Sequence, residues 1–244
     1  MSNVFYAPGK ERAAKVNDLF AAIARRYDLL NDLQSFGLHR RWKRRVVNLA
    51  APLPGARALD LCCGTGDLAL ALARRGAEVT GLDFSGKMLE VAQARSGRLK
   101  AQGSEFPKPQ FVQGDAQQMP FADGSFDIVT VGYGLRNLTD WRAGLAEMRR
   151  VARPGGRLVV LDFGKPPNAL WRAAYFAHLK ISVPLIGLLF CGNARAYAYI
   201  LESLKHYPAQ RGVEQGMREL KLANVRVINL LGGAMAINYG EKPR

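Results

Sequence analysis

The run Leu59-Asp60-Leu61-Cys62-Cys63-Gly64-Thr65-Gly66-Asp67-Leu68 reads as the end of a buried strand, a glycine turn and the start of a helix. Arg57-Ala58-Leu59-Asp60-Leu61-Cys62 is short, apolar and set off by Pro52 and Pro54-Gly55, as a buried strand is. A helical run from Asp67 to Arg75 closes at Gly76. Glu78-Val79-Thr80-Gly81-Leu82-Asp83 then reads as a second strand, completing one βαβ unit.

The alternation continues outward. Ser85 to Ala94 is helical, and Gln110 to Asp115 and Phe126 to Val131 are strands. The helix Trp141 to Val151 ends at the turn Pro154-Gly155-Gly156, which delivers Arg157 to Asp162 as a fifth strand. Such regularity predicts an α/β fold with a parallel sheet and helices on both faces. Asn224 to Leu230 and Met235 to Tyr239, parted by Gly232-Gly233, predict an antiparallel hairpin at the end. The expected plan is one domain over 1-244 in four segments. A helical N-terminal lid covers 1-53, with Val16, Leu19, Phe20 and Ile23 at helical spacing. A cofactor-binding core spans 54-165, a mainly helical insertion 166-214, and a short C-terminal helix (about Gln215 to Ala223) with its strands 215-244.

The chain has 244 residues, 48% hydrophobic and 23% charged, enough for one large core without staples. Three cysteines, two of them adjacent, exclude a disulfide framework, and no Cys/His spacing suits a metal. The opening residues lack the pattern of a secretory signal, which predicts a cytoplasmic protein. Ile181 to Cys191 is the longest apolar stretch and is too short to span a bilayer, although it can lie on a surface. The net charge is +15, with basic runs at Arg40-Arg41-Trp42-Lys43-Arg44-Arg45 and Arg149-Arg150-Val151-Ala152-Arg153. Nucleic acid, an anionic membrane and biased coding all account for such a balance.

In an open α/β sheet the ligand sits beyond the carboxyl ends of the strands, where the strand order reverses. Gly64 and Gly66 permit a sharp turn and a close approach of the backbone to a ligand. Asp83 ends the second strand, where a carboxylate accepts both hydroxyls of a ribose. Asp115-Ala116 ends the third, where a carboxylate can accept the exocyclic amine of adenine. Ala69 satisfies the third glycine/alanine position of a dinucleotide fingerprint. Asp60 and Asp67 nevertheless flank the loop where a pyrophosphate would lie, and the two aspartates favour a cationic moiety.

The segments Asp60 to Asp67, Gly81-Leu82-Asp83-Phe84-Ser85 and Arg153-Pro154-Gly155-Gly156-Arg157 resemble those of class I methyltransferases, which bind S-adenosylmethionine. Tyr27-Asp28-Leu29-Leu30-Asn31-Asp32-Leu33-Gln34-Ser35-Phe36-Gly37-Leu38-His39-Arg40-Arg41-Trp42 resembles the N-terminal signature of the ubiquinone/menaquinone biosynthesis C-methyltransferase family, departing only at Leu30. Val131 to Asn137 and Ala234 to Pro243 are similar to two further family segments. Near Asp162 and Gly164 the family often has glutamate and then serine. The variation is similar to phylloquinone-type members and turns the expected acceptor toward a naphthoquinol. The resemblance implies a Rossmann-like, mostly parallel sheet with an antiparallel C-terminal strand. It also implies donor contacts at Thr65, Asp83, Asp115, Ala116 and Gly132, beside Asp60, Gly64 and Gly66.

The implied reaction is methylation of a ring carbon of demethylmenaquinol or demethylphylloquinol, or else of a benzoquinol of the ubiquinone pathway. Arg136 and Asn137 are the candidates for stabilising the phenolate. Tyr27 and His39 are candidates for ring binding or proton relay on the lid, and helix packing accounts for His39 equally well. Leu185, Ile186, Leu188, Leu189 and Phe190 suit a tail channel, an anionic membrane face or a homodimer face. A nucleic-acid methyltransferase is the rival suggested by charge, but the Asn/Asp-Pro-Pro-Tyr type of motif is absent after the fourth strand. A non-enzymatic scaffold is a third reading.

Overall fold

Seven strands form one sheet in the order β3-β2-β1-β4-β5-β7-β6. The strands are β1 (Arg57–Leu61), β2 (Glu78–Asp83), β3 (Gln110–Gln113), β4 (Phe126–Gly132), β5 (Ala152–Phe163), β6 (Ala223–Leu230) and β7 (Met235–Glu241). The computed structural model describes residues 10–24, 27–103, 105–191 and 201–244. Four of β1's five residues and five of β4's seven are buried, because helices cover both faces of a parallel sheet. β1 pairs in parallel with β2 on one side and β4 on the other, so the order reverses between β1 and β4. β7 runs antiparallel to β5 and to β6. The expected class and terminal hairpin are both found.

The helices are α1 (Lys10–Ile23), α2 (Tyr27–Ser35), α3 (Leu38–Ala50), α4 (Asp67–Ala73), α5 (Gly86–Ala101), α6 (Trp141–Val151), α7 (Ala169–Cys191) and α8 (Ala209–Glu219). α2 and α3 are separated at Phe36 and Gly37, whose φ angles of 50° and 72° break the helical path. α6 starts where the Asp140 side chain accepts the N–H groups of Arg142 and Ala143, a side-chain cap. Arg157 on β5 donates to the carbonyls of Ala50 and Ala51 and fastens the end of α3 to the sheet.

Several boundaries differ from expectation: β5 begins at Ala152 and takes in the turn Pro154-Gly155-Gly156, and α5 runs on to Ala101. β3 stops at Gln113 rather than Asp115, since Asp115 turns away to accept the Gln117 N–H. The last helix begins at Ala209 and ends at Glu219 rather than spanning Gln215 to Ala223, because β6 claims Ala223 for pairing with Glu241. The insertion is dominated by α7. No helix among the described residues is long and apolar enough to cross a membrane. The side chains of Ile186, Leu188, Leu189 and Phe190 lie outside the described residues.

Candidate active site

A cleft opens at the carboxyl ends of β1, β2, β3 and β4, at the reversal of strand order. Of the expected site residues, Tyr27, Gly64, Asp83, Asp115, Ala116, Gly132 and Asn137 line it. Val16, Asn17 and Phe20 of α1 close it from the lid side. That contribution was not legible, since α1 showed only a helical period. Asp60, Thr65, Gly66, Arg136 and His39 stand outside the wall.

Asp83 anchors the glycine turn. One oxygen accepts the Gly64 N–H at 2.8 Å and the other the Ser85 N–H at 2.8 Å, leaving lone pairs toward the cleft. Burial pushes its carboxyl above the usual range, against the pull of the backbone N–H groups. Gly64 has φ +54°, and a Cβ built there would meet nothing within 4 Å. Any side chain would therefore project into open cleft space. Gly66 differs: a Cβ on it would come within 3.0 Å of the Phe111 ring and 3.1 Å of Ala92. Its smallness serves packing of the turn on β3 and α5 rather than approach to a ligand.

The two acidic flanks of the turn also part company. Asp67 is bonded by Lys43 at 2.8 Å and by Arg95 at 2.7 Å. Although its burial works the other way, these two cations hold its carboxyl well below the usual range. The expectation that Asp67 faces a cationic ligand is corrected: its charge is already matched inside the protein. Asp60 is 1% exposed, with one oxygen 3.0 Å from the Thr130 hydroxyl and the other, near the Ala69 N–H, without a well-formed hydrogen bond among the described residues. Burial raises its carboxyl to about 7. A carboxyl raised in the fold stabilises the protein below its unfolded value and loses that contribution as pH rises through the folded one. Urea midpoints of the ligand-free chain are therefore expected to fall between pH 5 and pH 8 more steeply than those of Asp60→Asn. Parallel curves for the two would contradict the assignment.

Thr65 and His39 hold the lid. The Thr65 hydroxyl donates to Asp28 of α2 at 2.8 Å, and Arg95 bridges Asp28 to Asp67. The side-chain hydroxyl of Thr65 is thus spent on the lid rather than on a ligand. His39 is 3% exposed, with Nε2 2.8 Å from Asp32, which also accepts from Arg40. The Arg40 guanidinium brings the Asp32 carboxyl down to about 2, while burial lowers the His39 imidazole. His39 thus joins the start of α3 to α2 through Asp32 and stands outside the cleft wall. Asp28 and Asp32 both lie inside the segment Tyr27 to Trp42, yet neither stood out. The partners of Asp28, Thr65 and Arg95, are distant in sequence, whereas those of Asp32, His39 and Arg40, lie in the same segment across the break between α2 and α3.

Arg136 sits one layer behind the cleft. Its guanidinium is 3.1 Å from Asp162, donates to the Tyr133 carbonyl and stacks 4.6 Å from the Phe163 ring centre. The Arg136 N–H donates to the second oxygen of Asp162. Asn137, on the cleft wall, donates to the Tyr133 carbonyl at 3.2 Å.

The model of the ubiE/COQ5 methyltransferase family matches residues 9–242. Demethylmenaquinone methyltransferase of Desulfitobacterium hafniense is 42% identical over 240 residues, 97% of this chain and 93% of that protein. The Thermus thermophilus protein of the same name is 43% identical, over 92% of this chain and 100% of its own length. In fold the chain is similar to magnesium protoporphyrin IX methyltransferase from Synechocystis, solved with bound S-adenosylhomocysteine. That match has a TM-score of 0.59 and 23% identity, over 84% of this chain and 83% of that one.

Proposed function

The chain belongs to the ubiE/COQ5 methyltransferase family, and we propose that it methylates a ring carbon of a prenylated naphthoquinol, demethylmenaquinol, with S-adenosylmethionine as donor. The observation that carries the acceptor is the reach of the likeness to demethylmenaquinone methyltransferases. It covers nearly the whole chain and so extends past the cofactor half into α7 and the terminal strands. The departures near Asp162 and Gly164, similar to phylloquinone-type members, favour a naphthoquinol with a phytyl tail as a second acceptor.

The cleft suits the donor. Asp83 offers carboxylate lone pairs to ribose hydroxyls, Asp115 and Ala116 flank the adenine end, and Gly64 and Gly132 leave room for close approach. Asp60, with one oxygen lacking a well-formed hydrogen bond, lies beneath the turn and favours positive charge above it. The bound donor supplies an electrophilic methyl group on a sulfonium. The protein then has two tasks: to place a ring carbon in line with that methyl, and to favour the ring's phenolate form, which makes the carbon nucleophilic. Tyr27 and Asn137 face the space where the ring would lie. The Arg136 charge behind them favours the phenolate, and loss of the ring proton to solvent restores aromaticity.

The acceptor's tail needs an apolar route. Phe36 (85% exposed), Leu170 (81%) and Ile181 (66%) stand out from α7 and the end of α2, elements in mutual contact, with the Arg40 to Arg45 run nearby in α3. We infer peripheral binding of this face to anionic membranes and no nucleic-acid partner. Phe36→Ser with Ile181→Ser is expected to weaken partition onto phosphatidylglycerol vesicles about ten-fold. Unchanged partition removes the face, and tight, salt-sensitive RNA binding without vesicle affinity removes the membrane reading. Sedimentation without lipid separates burial of the same face in a homodimer.

The test of the reaction is incubation with labelled S-adenosylmethionine and a panel of reduced quinone precursors. Label in a naphthoquinol ring carbon is the expected result. Label confined to a benzoquinol, or to RNA, would overturn it.

A further inference from the structure

Three residues of the cleft wall carry a buried polar atom with no hydrogen-bond partner among the described residues: the Asn17 amide oxygen on α1, the Ser85 hydroxyl just before α5, and the Tyr133 hydroxyl after β4. Buried polar atoms are ordinarily paired, so their gathering in one cleft requires an explanation. For Asn17 and Ser85 the geometry supplies one.

Ser85 is 3% exposed and occupies the N-cap of α5. A serine there ordinarily accepts an N–H of the first helical turn through its hydroxyl, and that bond is not formed. Its backbone N–H instead lies 2.8 Å from an oxygen of Asp83, so the idle hydroxyl belongs to the residue held directly against that carboxylate. Asn17 reaches the same cleft from the lid. It shares one face of α1 with Val16 and Phe20, and all three line the cleft. Val16 is buried and Phe20 meets the Tyr27 ring edge-on at 6.0 Å, which fixes that face. α1 packs on α5, whose Met88 also lines the cleft, so the lid helix meets the site on its β2 and α5 side. An amide whose oxygen makes no bond is free to turn about its last side-chain torsion, which is broad in asparagine. The serine hydroxyl is equally unheld, and both can turn to a ligand that enters.

We propose that Asn17 and Ser85 complete the ribose site of S-adenosylmethionine: the Ser85 hydroxyl donates to a ribose oxygen beside Asp83, and the Asn17 oxygen accepts a ribose hydroxyl from the lid side. The assignment rests on the reading of Asp83 as the ribose carboxylate and adds contacts that Asp83 cannot make. Its oxygens already accept the Gly64 and Ser85 N–H groups, and an ionised carboxylate only accepts. A ribose oxygen therefore needs a separate donor. Through Asn17 the lid touches the bound donor directly.

The test is calorimetry on the full chain with Asn17→Ala and Ser85→Ala. The ligands are S-adenosylhomocysteine and its analogues lacking the ribose 2′ or 3′ hydroxyl. Each variant is expected to bind S-adenosylhomocysteine roughly five- to ten-fold more weakly than the parent. Against the analogue that lacks the contacted hydroxyl, variant and parent should bind alike. Ligand-free melting temperatures should not fall, since neither removed group had a bond to lose and alanine favours the helix at position 17. Parent-like affinity for S-adenosylhomocysteine in either variant would overturn the assignment. Losses as large on both deoxy analogues as on S-adenosylhomocysteine would also overturn it, because the effect would not pass through the ribose. Marked destabilisation of the ligand-free variants would do the same, by showing that the two side chains serve the fold. A parent chain that binds both deoxy analogues as tightly as S-adenosylhomocysteine would overturn the ribose reading of Asp83, and this assignment with it.

Discussion

Replacing Asp83 by alanine is expected to weaken S-adenosylmethionine binding by roughly 100-fold or more, from hydrogen bonds to a charged group that contribute about 1.5–3 kcal/mol each. The residue acts twice. Its lone pairs face the cleft where ribose hydroxyls would lie, and its oxygens hold the Gly64 and Ser85 N–H groups that shape both sides of that cleft. Alanine removes the ligand contacts and loosens the turn together. Asp83→Asn keeps the volume but turns one N–H acceptor into a donor facing another N–H, so it should rescue little. Calorimetry on the ligand-free chain measures this directly. An affinity within a few-fold of the parent's would remove Asp83 from the donor site.

The second large effect is expected at Arg136, and first on stability. Arg136→Ala leaves the Asp162 carboxylate, 4% exposed, without its charge partner. Breaking one side of a buried pair costs about 3–5 kcal/mol. Burial already raises the Asp162 carboxyl above its usual range, while the Arg136 cation opposes that rise. Pairing Arg136→Ala with Asp162→Asn should restore part of the loss, because no uncompensated charge remains. Arg136→Lys should restore less, since an ammonium has no planar face to stack on the Phe163 ring as the guanidinium does. At a temperature where the variant is folded, turnover should fall more than donor affinity, because the proposed mechanism gives Arg136 a part in favouring the phenolate and none in holding the donor. A denaturation midpoint equal to the parent's would contradict the burial argument. An unaltered rate would remove Arg136 from the chemistry.

The strand and helix alternation was legible because a parallel sheet covered on both faces demands short, continuous apolar runs, and β1, β2 and β4 have them. Gly64, Asp83, Asp115 and Ala116 were legible for a related reason: the fold dictates that residues just past those strands meet at the reversal of order. Asp60 and Asp67 show where such reading ends. Both are acidic neighbours of one turn. Lys43, from α3, and Arg95, from α5, match the charge of Asp67, whereas Asp60 is enclosed with one oxygen unmatched. Neither partner is near Asp67 in the chain. Arg136 presents the same difficulty, since a position after β4 identifies the neighbourhood but not whether the side chain faces the cleft or Asp162.

By itself, then, the order of residues determined the α/β class, the strand ends that build the cleft and the family to which the chain belongs. All of these depend on local period, turn chemistry and spacing along the chain. Only the tertiary structure decided which charges are spent within the protein, that Thr65 and His39 secure the lid, and that Arg136 turns to Asp162 behind the cleft wall. Those are outcomes of desolvation and pairing between residues far apart in sequence, and burial and partner distance exist only once the chain has folded.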